Sequence, residues 1–429
     1  MNRFKSEHNR QVKAPAYETS MRHPRRMMRQ NWRILPRMAR QRSTDLFPTD
    51  QPIPASQMIG RRTDVGEITT ALGAGSNLIV AGPRRSGKTS VCDAALVRLS
   101  RRGFYTVSVD LFRLASAAEL AEALVAATIS NRSALRRLIH QTRRAGRVVA
   151  DALQTSAIVK SKAQLGEEIE IAFHPGLAAR DPNRYLDYAL ALPGRIAQAD
   201  AKPVVVFFDE FQEIGSPNEP YGDSDRLTKR MRAIFQRTSD VSYLFAGSLE
   251  HLMRDLFTPS DRALHQFGGF HDLRPIDDEA WLAGLNERFA ADDCEAQPEA
   301  LARIVQYGEG QPRSTMLIAQ KSHLTTVELD TRLVDLAVVE QGLLAAMAAD
   351  RVAHEQILER IRRSHKLGLI IAERIAQGQP VYRGLSRGQV RRALDALRDA
   401  GIIDSHGRGE WRLSNPLLRR YIQTVTPLR

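Results

Sequence analysis

The chain has 429 residues, 43% of them hydrophobic and 26% charged, with two cysteines. That length exceeds one ordinary core, so two or three domains are expected, and the composition is that of a soluble globular protein. Cys92 and Cys294 have no paired spacing, which argues against a zinc site and for a reducing cytoplasm. No apolar run approaches the roughly 18 residues of a membrane span, and no stretch near the start reads as a secretory signal.

The net charge of +13 is unevenly placed, since residues 1–45 hold twelve Lys or Arg against Glu7, Glu18 and Asp45. A basic disordered tail is expected over residues 1–55, too poor in apolar residues to fold alone. Two readings stay open for it: an arm that grips nucleic acid or an acidic membrane, or a solvated, possibly untranslated extension. Prolines between Pro48 and Pro54 mark the first boundary.

A short helix is expected before the apolar strand Asn77–Ala81, and then comes Gly82-Pro83-Arg84-Arg85-Ser86-Gly87-Lys88-Thr89-Ser90. This fits G-x-x-x-x-G-K-[ST] between a strand and a helix, the order a phosphate cradle needs. Gly82 and Gly87 permit a backbone whose N–H groups turn inward on phosphates, and the helix start adds partial positive charge. Lys88 would reach the outer phosphates, and the Thr89 hydroxyl would hold Mg2+. These residues predict nucleoside triphosphate binding.

Tyr105–Asp110 reads as the next strand, its Asp110 structural. A long insert follows, in which Leu135–Leu153 patterns as a helix with Arg132, Arg136, Arg143 and Arg147 on one side, either a charged surface or a nucleic-acid contact. Val204–Phe208 is a continuous β-branched and aromatic run, the pattern of a buried parallel strand, and it ends in Asp209-Glu210. Asp209 would anchor Mg2+ and Glu210 would activate the attacking water. The strand Val241–Gly247 is expected between the other two. Its Ser248 either contacts the γ-phosphate or is an ordinary strand-to-turn serine.

After Pro275 the texture is helical through Asp350. The turn Gly308-Glu-Gly310-Gln-Pro312-Arg313 opens a helix, and Arg313 is either a γ-phosphate sensor on a lid or a surface residue. The last eighty or so residues pattern as a winged helix-turn-helix. Ser386 to Gln389 forms a capping box, Gly401 stops that helix, and Ile402–Leu413 reads as a β-hairpin wing. Arg387, Arg391 and Arg392 would face double-stranded DNA. The alternative is a module that docks protein or is purely structural. The expected domains are therefore a tail (1–55), a P-loop core (56–275), a helical lid (276–350) and a winged helix (351–429).

Together, Ile59-Gly-Arg-Arg62, the P-loop, Phe208-Asp-Glu-Phe-Gln-Glu-Ile214, the Gly310-Gln-Pro312 turn and the terminal module resemble the archaeal-type STAND branch of AAA-like P-loop ATPases, relatives of archaeal origin-recognition ATPases. The resemblance implies an α/β fold with about five parallel strands and ATP rather than GTP. It covers roughly residues 56–425. Such relatives carry a Gly-Arg pair before the strand leading to the lid. Here Gly268-Gly269-Phe270-His271 lacks the Arg, and neither Arg262 nor Arg274 stands in its place, which implies slow turnover. Three functions follow as expectations. The first is an ATP-driven switch whose winged helix contacts DNA, and the second a DNA-binding loader or transposition regulator with negligible turnover. The third is a signalling or defence scaffold that forms an ATP-dependent oligomer.

Overall fold

The computed structural model describes residues 42–131, 181–215, 221–238, 240–405 and 409–425. The expected helix over residues 135–153 and the tail through residue 41 lie outside them.

The core begins with helices α1 (Ser43–Leu46) and α2 (Arg62–Gly73), then strand β1 (Leu78–Ala81), α3 (Lys88–Arg101), β2 (Tyr105–Asp110) and α4 (Ala117–Ile129). It continues with α5 (Pro182–Asp200), β3 (Val204–Asp209), α6 (Ser224–Phe235), β4 (Val241–Gly247), α7 (Glu250–Phe257) and β5 (Gly269–Asp272). The five strands form one sheet in the order β2-β3-β4-β1-β5, every neighbouring pair parallel. Thus β4 lies between the P-loop strand and β3, as expected. All six residues of β3 are buried, because helices cover both faces and its Val and Phe side chains pack alternately into the two halves of the core. Asp110 accepts from Phe112 N at 3.1 Å, so it caps a turn rather than serving the strand ends.

Past the sheet come α8 (Asp278–Ala290), α9 (Pro298–Gly308), α10 (Pro312–Glu328) and α11 (Leu336–Ala349). A short parallel pair, β6 (Glu295–Ala296) with β7 (Leu333–Val334), joins them and had no sequence signal. The chain closes with α12 (Arg351–Ser364), α13 (Gly368–Ala376), α14 (Arg387–Asp399), the ribbon β8 (Ile403–Ser405) and β9 (Trp411–Leu413), and α15 (Pro416–Val425). Three helices thus precede an antiparallel two-stranded ribbon and a closing helix. Ser386 caps α14 by accepting from Gln389 N, and Gly401 stops it at φ +65°. Val390, Leu394 and Leu397 are buried, while Arg387, Arg391 and Arg392 are exposed.

The boundary drawn at residue 55 needs correction, because residues 42–55 belong to the folded body. Phe47 is 0% exposed, its ring 4.8 Å from Phe289 and 5.9 Å from His323. Ser43 Oγ lies 2.7 Å from His323 Nδ1, whose Nε2 faces Asp292 Oδ2 at 3.0 Å. Leu46 and Phe47 are an adjacent apolar pair, and burying them in the helical layer offsets the cost of ordering the segment.

Candidate functional site

The carboxyl ends of β1, β3 and β4 converge on the start of α3, where ligands of open α/β sheets bind. A cavity of about 400 Å³ opens there, lined by Arg84 through Ser90 together with Glu210, Ser248 and Arg313. Gly82 and Pro83 form the turn that leads into it. Gly87 sits at φ +90°, a left-handed conformation that lets the loop reverse before α3.

Lys88 Nζ donates to the carbonyls of Gly82 at 2.9 Å and Pro83 at 2.8 Å. Burial pulls its pKa down to about 8, against the opposing pull of Glu210 and Asp209. Thr89 Oγ1 donates to Asp209 Oδ2 at 2.8 Å. Burial also lifts Asp209 to about 6, although the Thr89 hydrogen bond works the other way. A cation would relieve the carboxylate and an anion the lysine. The Ser86 hydroxyl oxygen is buried and has no hydrogen-bond partner among the described residues. An unpaired buried donor, a desolvated lysine and a desolvated carboxylate fit a magnesium-bound triphosphate.

Glu210 occupies the left-handed region at φ +50°, an uncommon conformation for this residue type. Its Oε2 accepts from Ser248 Oγ at 2.7 Å and from Gln212 Nε2 at 2.6 Å. Gln212 Oε1 in turn accepts from Ser248 N at 3.2 Å. Gln212, 1% exposed, therefore ties the end of β3 to the end of β4 and orients both polar groups. Its role has no signal in the local sequence.

Arg313 faces the same cavity from α10, but its guanidinium is held by Asp350 in a two-pronged pair of 2.6 and 2.9 Å. Burial opposes ionisation of Asp350, and the Arg313 hydrogen bonds and charge overcome it, holding the carboxyl below its usual range. Gln311 Nε2 donates both to Arg84 O at 3.2 Å and to Ser414 O at 2.8 Å, joining the P-loop to the residue after β9. Arg419 of α15 pairs with Glu309 beside this turn.

Further residues escaped the sequence reading. Arg61 is 6% exposed and braces the loop by donating to Ser86 O at 3.1 Å and Arg274 O at 2.7 Å. Pro48–Ile53 also lines the cavity, as do Trp281 and Met316. Ser90, expected to touch the ligand, lines the cavity and also accepts from Ile53 N at 3.1 Å. The Arg-Arg pair at 61–62 was the available signal for the brace; proline-rich 48–54 read only as a break. Arg387, Arg391 and Arg392 line no part of this cavity. His271 on β5 faces Asp64 Oδ1 at 3.1 Å, and Arg262 pairs with Asp225 at 2.7 Å.

Residues 57–220 match the family model described as an AAA ATPase domain. No curated protein sequence matches the chain. Among solved structures, the Walker-type ATPase of Pyrococcus abyssi is similar at 16% identity with a TM-score of 0.60, covering 88% of this chain and 99% of that one. The Aeropyrum pernix ORC2 protein, solved as ADPNP–ADP complexes, is similar at 16% identity with a TM-score of 0.53, covering 89% and 96%. At these identities the likeness is one of fold, a P-loop ATPase fold related to that of origin-recognition ATPases.

Proposed function

We propose, from a chain whose residues 57–220 match the AAA ATPase domain, that this protein is a slowly hydrolysing ATP switch whose terminal module contacts duplex DNA. The observation that carries the reading is the 2.8 Å contact of Thr89 with Asp209, 120 residues apart in sequence, above the Lys88 loop. Lys88 would exchange two backbone carbonyls for phosphate oxygens, gaining an anionic partner for a charge that burial disfavours. Mg2+, held by Thr89 and Asp209, would neutralise charge on the outer phosphates. Glu210 would accept the proton of a water placed in line with the γ-phosphorus, as the water oxygen bonds to phosphorus and the bridging oxygen leaves. Ser248 and Gln212 fix where that carboxylate stands.

The switch lies in the choice open to Arg313. Its guanidinium can serve Asp350 or the γ-phosphate, and one side chain cannot hold both in the same two-pronged geometry. Asp350 stands between α11 and α12, so phosphate binding would free one tie on the terminal module that carries Arg387, Arg391 and Arg392. Absence of an Arg from Gly268–His271 supports slow turnover and a long-lived bound state. The test is ATP turnover with and without duplex DNA, alongside duplex affinity with and without a non-hydrolysable analogue. The reading requires measurable turnover and a nucleotide-dependent affinity; neither rate nor affinity responding would remove it.

A further inference from the structure

A second basic feature lies on the core, apart from the nucleotide cavity and the terminal module. Helices α5 and α6 pack side by side and frame a cleft of about 630 Å³. Arg184 and Arg195 line it from α5, Arg226 and Arg230 from α6, and Asp187 is the one carboxylate among the lining residues. On α5 the positions 184, 188, 191 and 195 fall on one helical face, and on α6 so do 226, 230 and 233. The small side chains of Ala191 and Ala233 also line the cleft.

The partners of these groups determine what the cleft can hold. Arg230 is spent on Asp187, at 3.1 Å, and on Asn183 O, at 2.8 Å. Arg195 lies over the Tyr188 ring at 5.4 Å. Arg184 and Arg226 are exposed, and among the described residues neither guanidinium has an ion pair. The acids at the start of α6 are already engaged, Asp223 in capping the helix and Asp225 with Arg262. The cleft therefore presents uncompensated guanidinium charge, and the planar guanidinium fork suits phosphate oxygens.

Eleven residues of helix separate Arg184 from Arg195, about 16 Å, a length that matches about five successive phosphates of one strand of a duplex. Among the described residues that line the cleft the one aromatic ring, Tyr188, is 6% exposed and covered by Arg195, so it offers no platform for stacking unpaired bases. We infer that the α5–α6 cleft grips the sugar-phosphate backbone of duplex DNA, a contact on the ATPase core itself that is independent of sequence and of the winged helix.

The experiment uses the full chain and a short fluorescent DNA duplex of random sequence, with anisotropy followed across a salt series. Three variants are compared with the parent: Arg184→Gln with Arg226→Gln, Arg184→Lys with Arg226→Lys, and Arg387→Gln with Arg391→Gln and Arg392→Gln. Each phosphate contact contributes about 0.9 to the slope of log affinity against log salt. The glutamine pair should flatten that slope by about 1.8 and weaken binding at least about tenfold at roughly 0.1 M salt, while basal ATP turnover is unchanged. The lysine pair should keep most of the slope. Parental affinity and slope in the glutamine pair would overturn the inference. So would a loss seen only with single strands, duplex RNA or polyglutamate. Loss in the triple variant alone would remove the cleft and keep the winged-helix contact; loss in the glutamine pair alone would do the reverse.

Discussion

The phosphate end of the cavity and the joint behind it are built from different kinds of parts. At the phosphate end, residues 82–90, 209–210 and 248 sit at the ends of three adjacent strands, and backbone geometry sets their positions. At the joint, Arg61, Gln311, Arg313, Asp350, Ser414 and Arg419 come from separated segments and meet through side-chain contacts. A backbone-set site is preorganised and pays no reorganisation when charge develops. A joint held by exchangeable ion pairs can change partners. On the proposed function, the chemistry would stay fixed while the outer module moves.

That contrast is sharpest under mutation. Glu210→Gln keeps the hydrogen bonds to Ser248 and Gln212 within reach but removes the proton acceptor. Turnover should fall by about 10²- to 10⁴-fold with ATP affinity unchanged, as single-turnover and binding assays can separate. Surviving hydrolysis would mean that the base lies elsewhere. At the joint the two partners should act in opposite directions. Arg313→Ala should cost about tenfold or more in turnover, as loss of a γ-phosphate contact does, whereas Asp350→Asn removes the competitor and should tighten ATP binding by about two- to tenfold. If both variants weaken ATP binding equally, the pair is a structural strut and the proposed exchange is wrong.

A smaller effect concerns pH. The pKa of Asp209 is raised to about 6, so the fold favours its neutral form. The stability this group contributes is fully present below its ordinary value near 3.8 and is lost as pH rises through about 6. Asp209→Asn keeps a neutral partner for Thr89 at every pH. Without nucleotide the variant should melt about 2–4 °C above the parent at neutral pH, and the gap should close as pH falls to the ordinary carboxyl range. An equal gap at all pH values would show that the carboxylate is not under strain.

What could be read in advance follows the same division. The P-loop, the Asp209-Glu210 pair and the Ser386–Gly401 helix were legible, since each is a local pattern of period, turn and cap, whereas the place of β4 in the sheet followed from the architecture that a P-loop implies. Gln212 was not, because a buried glutamine has no period; only the approach of β3 to β4 gives it two partners. Nor were Phe47 and the wall of residues 48–53 legible, since prolines and a basic flank hide a short apolar anchor. The grip of Asp350 on Arg313 joins residues 37 positions apart through tertiary packing alone.

The central claim is that the Lys88 loop and Asp209 clasp one magnesium-bound triphosphate. Calorimetric titration of a non-hydrolysable ATP analogue, with and without Mg2+, tests it on the parent, Lys88→Ala and Asp209→Asn. The account predicts one site per chain, no detectable binding in Lys88→Ala, and binding in Asp209→Asn that has lost its response to Mg2+. Parental affinity in Lys88→Ala, or a full Mg2+ response in Asp209→Asn, would contradict it.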